Sequence, residues 1–322
     1  MRGVKAIVLA VVLGLFFQAA GCGFTKKIYR EVSPDESGLK KRVLVLPVVD
    51  QQGLGDKGVE EITAELAELL DKDPALMVGK AEEPIPSTLR SRSSEFGIIV
   101  DPDLAKMAEE MGMHVLVTAV VNPLEVIDHG PGLWPLNRIP VWPFTGKGKE
   151  IEVSMVVNAV DIVRGTLILT RLERKRLDVP EREDDEDEEP LIVKEKEPRT
   201  DDEIIAALPD RLKKEALEEI LREQAEAVKE KLREQAWSGR VVSVGGESIV
   251  INGGEDVGLA EGDVFEVFRR GESISSATGR SFYLVGDKIG EIRAVKIMDR
   301  YAAAEPLEGE GFSAGQLIRP KK

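Results

Sequence analysis

A chain of 322 residues with 42% hydrophobic residues is long enough for about two domains with packed cores. Its formal net charge of −15 argues against nucleic acid as a partner, because a protein that binds phosphates needs a basic face. The single cysteine excludes an intramolecular disulfide, and two histidines are little material for a metal site or a histidine-based triad.

The first 22 residues have the parts of a secretory signal. Arg2 and Lys5 form a positive start, an apolar run follows, and small residues precede Cys22. The run is shorter than the roughly 20 apolar residues of a membrane span. The small-small-Cys ending resembles the lipobox of bacterial lipoproteins, although Ala19 stands where that family usually has leucine. The resemblance implies that residues 1–21 are removed and that Cys22 is acylated, as with palmitate. An ordinary cleaved signal and an uncleaved anchor are the alternatives.

Residues 22–41 are polar and are interpreted as a tether. Lys26 and Lys27 are predicted to add a weak attraction to anionic lipid, roughly 1 kcal/mol each at most. Gly23 follows the cysteine, whereas in Gram-negative lipoproteins an aspartate at that position retains the protein in the inner membrane. The resemblance therefore implies a lipid anchor in the outer membrane, with the chain facing the periplasm.

A β-α-β-α-β pattern follows, and it predicts a parallel sheet. The first strand is Val-rich, which is typical of a strand buried on both faces, and Pro47 is expected to end or bend it. Helical spacing of apolar residues predicts one helix that stops before Pro74 and another that starts at Asp101. The predicted strands are 42–49, 76–78 and 114–121.

Two further strands are predicted at 150–163 and 166–177, which closes an α/β domain over 42–177. Polar content rises along the second strand, so it is expected to leave the core. The stretch 181–189 holds eight acidic residues and one arginine, and charges this dense stay solvated. Residues 178–199 are therefore interpreted as a disordered, protease-sensitive linker. Weak calcium binding is the alternative, without the spacing of an EF-hand.

The spacing of apolar residues over 200–237 predicts a long amphipathic helix that packs back on the first sheet. Thr200 and Glu203 match a capping box, and Pro209 is expected to interrupt or restart the helix. Glycine turns then separate short strands, which is typical of a small β-barrel over 238–322. The predicted strands are 240–244, 248–252, 264–269, 289–298, 302–306 and 316–319.

Residues 53–58 match the glycine pattern GxGxxG between a strand and a helix, as in dinucleotide sites. The first glycine trails the strand by several residues, however, and Asp56 places negative charge where a phosphate would lie. We interpret the segment as a turn. His114 is interpreted as a structural histidine in a buried strand, and the sequence has no HExxH motif. We expect no catalytic, cofactor-binding or metal-binding residues.

An aromatic segment at 130–148 interrupts the sheet and carries Trp134, Trp142 and Phe144 among prolines. Amphipathic aromatic side chains suit a membrane interface or a protein contact. These three residues are the predicted contact with a partner or a membrane. The alternative is a loop folded onto its own domain.

Two parts of the chain resemble known families. The first resembles the α/β domain of curli-secretion-type lipoproteins, which is similar to the N-terminal domain of TolB and the middle domain of flagellar assembly protein T. It comprises RVLVLP at 42–47, the helix after it, residues 103–112 and 114–121, and VNAVDIVRG at 157–165. Met113 and His114 stand where that family often has Ala-Asp. The second resembles the C-terminal barrel of flagellar assembly protein T, on residues 254–267, 288–295 and 314–316.

The resemblance implies an α+β chain, in which a βαβαβ sheet with a hairpin and a closing helix precedes a small all-β SH3-like barrel. These families act as envelope scaffolds or secretion components, which implies a lipid-anchored, non-enzymatic factor that binds an envelope protein partner. The structure it helps to assemble would be of flagellar or secretion type. Two alternatives stay open: a homo-oligomeric, curli-type secretion channel component, and a lipid-tethered activator of a cell-wall synthase.

Overall fold

The computed structural model describes residues 37–80, 93–94, 97–98, 107–128, 149–179, 200–246, 248–275 and 281–321. The chain divides into two compact units. The α/β unit comprises Arg42–Val228 with Ser275–Phe282, and the barrel unit comprises Lys229–Ile274, Tyr283–Lys322 and the residues up to Lys41. The chain is thus mixed α+β, as predicted.

The α/β unit is built on one mixed sheet with helices beside it. The strands of that sheet are β1 Lys41–Val45, β2 Val49–Asp50, β3 Leu76–Lys80, β6 Val115–Val121, β7 Glu125–Ile127, β8 Glu150–Asp161 and β9 Thr166–Asp178. Two short strands, β4 Ser93–Ser94 and β5 Gly97–Ile98, pair only with each other among the described strands. The helices of the unit are α1 Gly55–Asp71, α2 Asp201–Ala207 and the first part of α3 Asp210–Glu234. The described residues 107–110, part of the second predicted helix, are also helical.

The main sheet has β3, β1, β6 and β8 in that order, and β9 also pairs with β8. β1 and β6 are parallel, whereas β8 runs antiparallel to both β6 and β9. Glu150 pairs with Ile127 of β7 and with Asp178 of β9, so β7 and β9 lie on opposite sides of β8. All 12 residues of β8 are buried, which makes it the centre of the unit.

The predicted break at Pro47 is confirmed, because β1 ends at Val45 and β2 begins at Val49. The Val48 N–H donates to Thr63 Oγ1 at 3.0 Å, and the Thr63 hydroxyl donates to the Val59 oxygen at 2.6 Å. Helix α1 therefore satisfies the amide that the break removes from the sheet.

β9 stays paired in the sheet to its end, although it lies at the margin of the core, because its residues are half-buried or exposed and none is buried. It pairs with β8 from Thr166 to Asp178, and it thereby occupies the first residue of the predicted linker. The polar side chains stay because β8 supplies partners for them. Arg174 and Arg176 each lie 3.4 Å from a carboxylate oxygen of Glu152, a buried residue of β8.

The helices after the linker begin as predicted. Thr200 and Glu203 form both hydrogen bonds of a capping box, and α2 ends before Pro209, after which α3 begins. Further along α3, the buried Gln224 donates from Nε2 to the backbone oxygens of Met155 and Arg171 at 3.0 and 3.1 Å. These two bonds hold α3 against β8 and β9.

The barrel unit is a closed six-stranded barrel in the order β10-β11-β14-β13-β12-β15, which confirms a small barrel. Its SH3-like classification stays a prediction. The strands are β10 Gly239–Gly245, β11 Ser248–Ile251, β12 Val264–Ser275, β13 Ser281–Ile297, β14 Ala302–Gly309 and β15 Leu317–Pro320. Leu39, from the predicted tether, packs in the barrel core with Trp237 and Phe265.

β12 and β13 are longer than the predicted strands at 264–269 and 289–298. Each predicted strand covers only the residues with the apolar pattern of a strand. Neighbouring strands satisfy their backbone groups by pairing with each other, which does not require burial. The residues around Arg269 and Arg270 are exposed and still belong to β12.

Candidate functional site

The residues that the sequence singles out for attachment and contact lie outside the described residues. They are Cys22, Trp134, Trp142 and Phe144. The same holds for His129 and for the acidic stretch 181–189. Their roles stay predictions.

The glycine loop at 53–58 holds a carboxylate of its own chain. Asp50, at the end of β2, accepts from the N–H groups of Gln52 and Gly53 through Oδ1 at 2.8 Å each, and from Gly55 through Oδ2 at 3.1 Å. Gly53 and Gly55 have φ values of +87° and +74°, a conformation that favours glycine. The Asp50 carboxylate thus takes the place at the α1 N-terminus where a dinucleotide site holds phosphate. This geometry agrees with the interpretation of the loop as a turn.

His114 is buried and hydrogen-bonded to a neighbouring strand, which agrees with its interpretation as a structural residue. The Arg42 N–H donates to His114 Nδ1 at 2.9 Å, and the His114 N–H donates to the Arg42 oxygen at 2.9 Å. Arg42 Nη1 also donates to the Gly112 oxygen at 3.1 Å. Both side chains are buried, and the contacts join the start of β6 to β1.

Residues 311–315 (GFSAG) match the catalytic pattern GxSxG, which the expectation of no catalytic motif did not take into account. In hydrolases this pattern lies on a sharp turn from a strand to a helix. Here it lies between β14 and β15 of the barrel, where the Ser313 N–H donates to Gln316 Oε1 at 2.9 Å and Gln316 Nε2 donates to the Gly311 oxygen at 3.0 Å. Gln316 closes a barrel turn, and the context of a nucleophile elbow is not present at this segment.

A groove of about 1170 Å³ runs between α1 and the first half of α3, within the α/β unit. Its lining extends from Gly58 to Asp71 on α1, with Lys72 just after it, and from Asp210 to Leu221 on α3. At 1.5 Å per residue, the shared length is about 16 Å. The volume of the groove lies just above the range of about 300–1,000 Å³ that is typical of small-molecule sites.

The floor of the groove is apolar because both helices turn one apolar stripe inward. Ile62 and Ala67 of α1 and Leu217 and Leu221 of α3 are buried. Half-buried apolar side chains extend the floor toward solvent: Leu54, Leu69, Val78, Leu124 and Ile205. The stripe of each helix follows the predicted 3.6-residue spacing. The sequence did not predict that the two stripes flank one groove.

The walls of the groove are charged, with more acids than bases among the lining residues. Each of the three lysines in the lining interacts with an acidic residue that also lines the groove. Lys72 lies 3.6 Å from Glu68, and Lys213 lies 3.1 Å from Asp210. These pairs are exposed at least in part, so each contributes little to stability.

Two carboxylates, Glu65 of α1 and Glu218 of α3, interact across the groove. Burial raises the pKa of the Glu65 carboxyl above its ordinary value, and the Glu218 charge raises it further. Arg222 and Lys214 lower the same pKa, but by less. The charged form of Glu65 is therefore less favourable than that of a fully exposed glutamate. A cation placed between the two carboxylates would relieve that cost.

Other site types find no support in the part of the chain that the structure describes. No group of three or more metal-ligating side chains occurs among these residues. None of the helices in the described ranges combines the length and apolar character needed to cross a membrane.

The chain matches no known family model, and no curated protein sequence matches it. Solved structures resemble it weakly. A hypothetical protein from Chlamydia trachomatis has 13% identity over 58% of this chain and 96% of that chain, with a TM-score of 0.34. A lipoprotein from Neisseria meningitidis has 13% identity over 42% of this chain and 83% of that chain, with a TM-score of 0.26. TolB from Acinetobacter baumannii has 11% identity over 85% of this chain and 48% of that chain, with a TM-score of 0.24. TM-scores this low carry no argument about function.

Proposed function

We propose that this protein is a membrane-tethered, non-enzymatic binding factor of the bacterial cell envelope, which docks another protein in the groove between α1 and α3. The observation that carries the proposal is the groove itself. It is about 1170 Å³ in volume, it has an apolar floor, and charged walls surround that floor. An apolar centre with a polar rim is the usual composition of a protein-binding surface.

The envelope location rests on the start of the sequence. Arg2 and Lys5, an apolar run and the small residues before Cys22 form a secretory signal that ends like a lipobox. Two or more acyl chains on Cys22 would hold the protein on a membrane, since each buried CH₂ adds about 0.8 kcal/mol. The partner is then a component of an envelope structure of flagellar or secretion type.

Two measurements test the tether and the docking separately. For the tether, cells are labelled with palmitate, and the Cys22→Ser variant is expected to lose the label and to leave the membrane fraction. Label that persists in Cys22→Ser would contradict the anchor at that residue.

For the docking, a photoreactive amino acid is placed at Leu69, which lines the groove, and at Glu60, an exposed α1 residue outside the lining. In intact cells, the Leu69 position is expected to cross-link to a discrete envelope protein, and the Glu60 position to give a far weaker product. Equal products from both positions would place the binding surface elsewhere.

A further inference from the structure

We infer that the groove takes a basic amphipathic helix, with apolar residues that fill the floor and a lysine or arginine that lies between Glu65 and Glu218. The inference rests on the proposed function and specifies the chemistry of the partner segment. A peptide helix bound in an apolar groove is a recurring mode of recognition, in which anchors at i, i+3, i+4 and i+7 fill the floor.

The dimensions of the groove favour a helix of about three turns. The shared lining of about 16 Å equals about 11 residues of α-helix. The lining positions on α3 recur at 210, 213, 214, 217, 218 and 221, so one face of this helix borders the groove along its length. The apolar floor includes five half-buried side chains, from Leu54 to Ile205, which a partner would cover.

The charges of the groove favour a basic segment over an acidic or neutral one. Among the described residues, no cation lies within 4 Å of the Glu65 carboxylate, and the like charge of Glu218 affects it more than the opposite charge of either Arg222 or Lys214 does. Glu218 itself lies 3.9 Å from Arg222, an exposed pair of low strength. A cation from outside the chain would therefore meet two carboxylates whose charges Arg222 and Lys214 offset only in part.

The test uses three labelled synthetic peptides of about 12 residues, the length that the groove accommodates. All three carry leucines at helical i, i+4, i+7 spacing, and their remaining polar positions are lysine, glutamine or glutamate. Binding to the full-length protein is measured by fluorescence anisotropy. The lysine peptide is expected to bind about tenfold tighter than the glutamine peptide, and the glutamate peptide weaker still.

Matched variants show whether the charge preference comes from the groove. The double variant Glu65→Gln/Glu218→Gln should reduce the affinity for the lysine peptide about tenfold and leave the glutamine peptide unchanged. The control Glu60→Gln/Glu215→Gln makes the same charge change on the outer faces of the same two helices, outside the lining. It should bind the lysine peptide as the unaltered protein does, and circular dichroism should show both variants folded.

The outcomes separate the inference from the proposed function. Equal affinities for the lysine and glutamate peptides, or equal losses in the two double variants, would overturn the basic helix. If no peptide binds while the Leu69 cross-link in cells persists, the docking function stands and the inferred partner chemistry is wrong. If the cross-link is absent and the lysine peptide still shows the Glu65 and Glu218 dependence, the chemistry stands and the cellular role is wrong.

Discussion

The indole Nε1 of Trp237 donates to the backbone oxygen of Lys40 at 3.1 Å, and this bond joins the residues before β1 to the residues after α3. The Lys40 N–H also donates to the Val257 oxygen at 2.9 Å. Trp237 is fully buried, and its ring centroid lies 5.9 Å from that of Phe265. The barrel core is therefore completed by a chain segment that lies far from it in sequence.

Trp237→Ala is expected to destabilise the barrel by about 3–5 kcal/mol, because it opens a cavity and removes the bond to Lys40. Trp237→Phe keeps an aromatic ring but cannot donate to the Lys40 oxygen. Its free energy of unfolding should therefore fall by about 1 kcal/mol for the lost hydrogen bond, in addition to the cost of the smaller ring. Urea unfolding followed by far-UV circular dichroism measures both. An unchanged unfolding midpoint in Trp237→Ala would show that this ring does not support the core.

Asp50→Ala should destabilise the α/β unit by about 1–2 kcal/mol, because three loop amides lose their acceptor. The freed amides lie at the N-terminus of α1, so sulfate should stabilise this variant more than it stabilises the unaltered protein. Asp56→Ala is the control, since Asp56 is an exposed acid of the first turn of the same helix. Equal sulfate responses in the three proteins would show that the loop cannot bind an anion. Thermal unfolding with and without sulfate gives the comparison.

A comparison of the unfolding free energies of Gly309→Ala and Gly311→Ala distinguishes the cost of backbone strain from the cost of steric crowding. Both glycines have positive φ, +87° and +79°, and alanine in this conformation costs about 1–2 kcal/mol. A Cβ on Gly309 would also lie too close to the Ile289 oxygen and to Gly290, whereas one on Gly311 would meet nothing within 4 Å. Crowding should therefore add about 1–3 kcal/mol to the cost of Gly309→Ala alone. Similar unfolding free energies for the two variants would contradict this contact.

Glu291 is expected to stabilise the barrel at neutral pH and to lose that stabilising effect in acid. The Lys288 ammonium donates to Glu291 Oε1 at 2.7 Å, and the Lys321 ammonium donates to Oε2 at 2.6 Å. These bonds lower the pKa of the Glu291 carboxyl below its ordinary 4.5 in the folded state. The unfolded chain then binds this proton more readily than the folded one, so the stabilisation is present above pH 4.5 and is lost as the pH falls through the folded-state pKa.

The measurement is the urea midpoint of Glu291→Gln and of the unaltered protein, from neutral pH to below pH 4.5. The variant should be less stable at neutral pH, and the difference should shrink in acid, because Glu291 of the unaltered protein becomes protonated and loses its charge. The other carboxyl groups titrate in both proteins, so they do not contribute to the difference. A difference that is independent of pH would assign the effect of Glu291 to packing rather than to its charge.

Most of the secondary structure could be predicted from the sequence, because periodicity, caps and breakers are local properties of the chain. The Val-rich run before Pro47, the stripe of α1 and the hairpin of β8 and β9 all follow such patterns, and so does the capping box of Thr200 and Glu203. The closed barrel follows from short strands between glycine turns. Each of these signals depends on residues within about one or two turns of each other.

Contacts between distant residues were decided by the tertiary structure alone. A charged strand such as β9 stays in the sheet because Glu152, on another strand, meets Arg174 and Arg176. The glycine loop is closed because the Asp50 carboxylate turns back into it. The groove exists because the stripes of α1 and α3 lie side by side, which brings Glu65 within reach of the charge on Glu218. An apolar pattern tells which face of an element is covered, but the energy of a charge depends on the distance to its partner, and only the folded chain sets that distance.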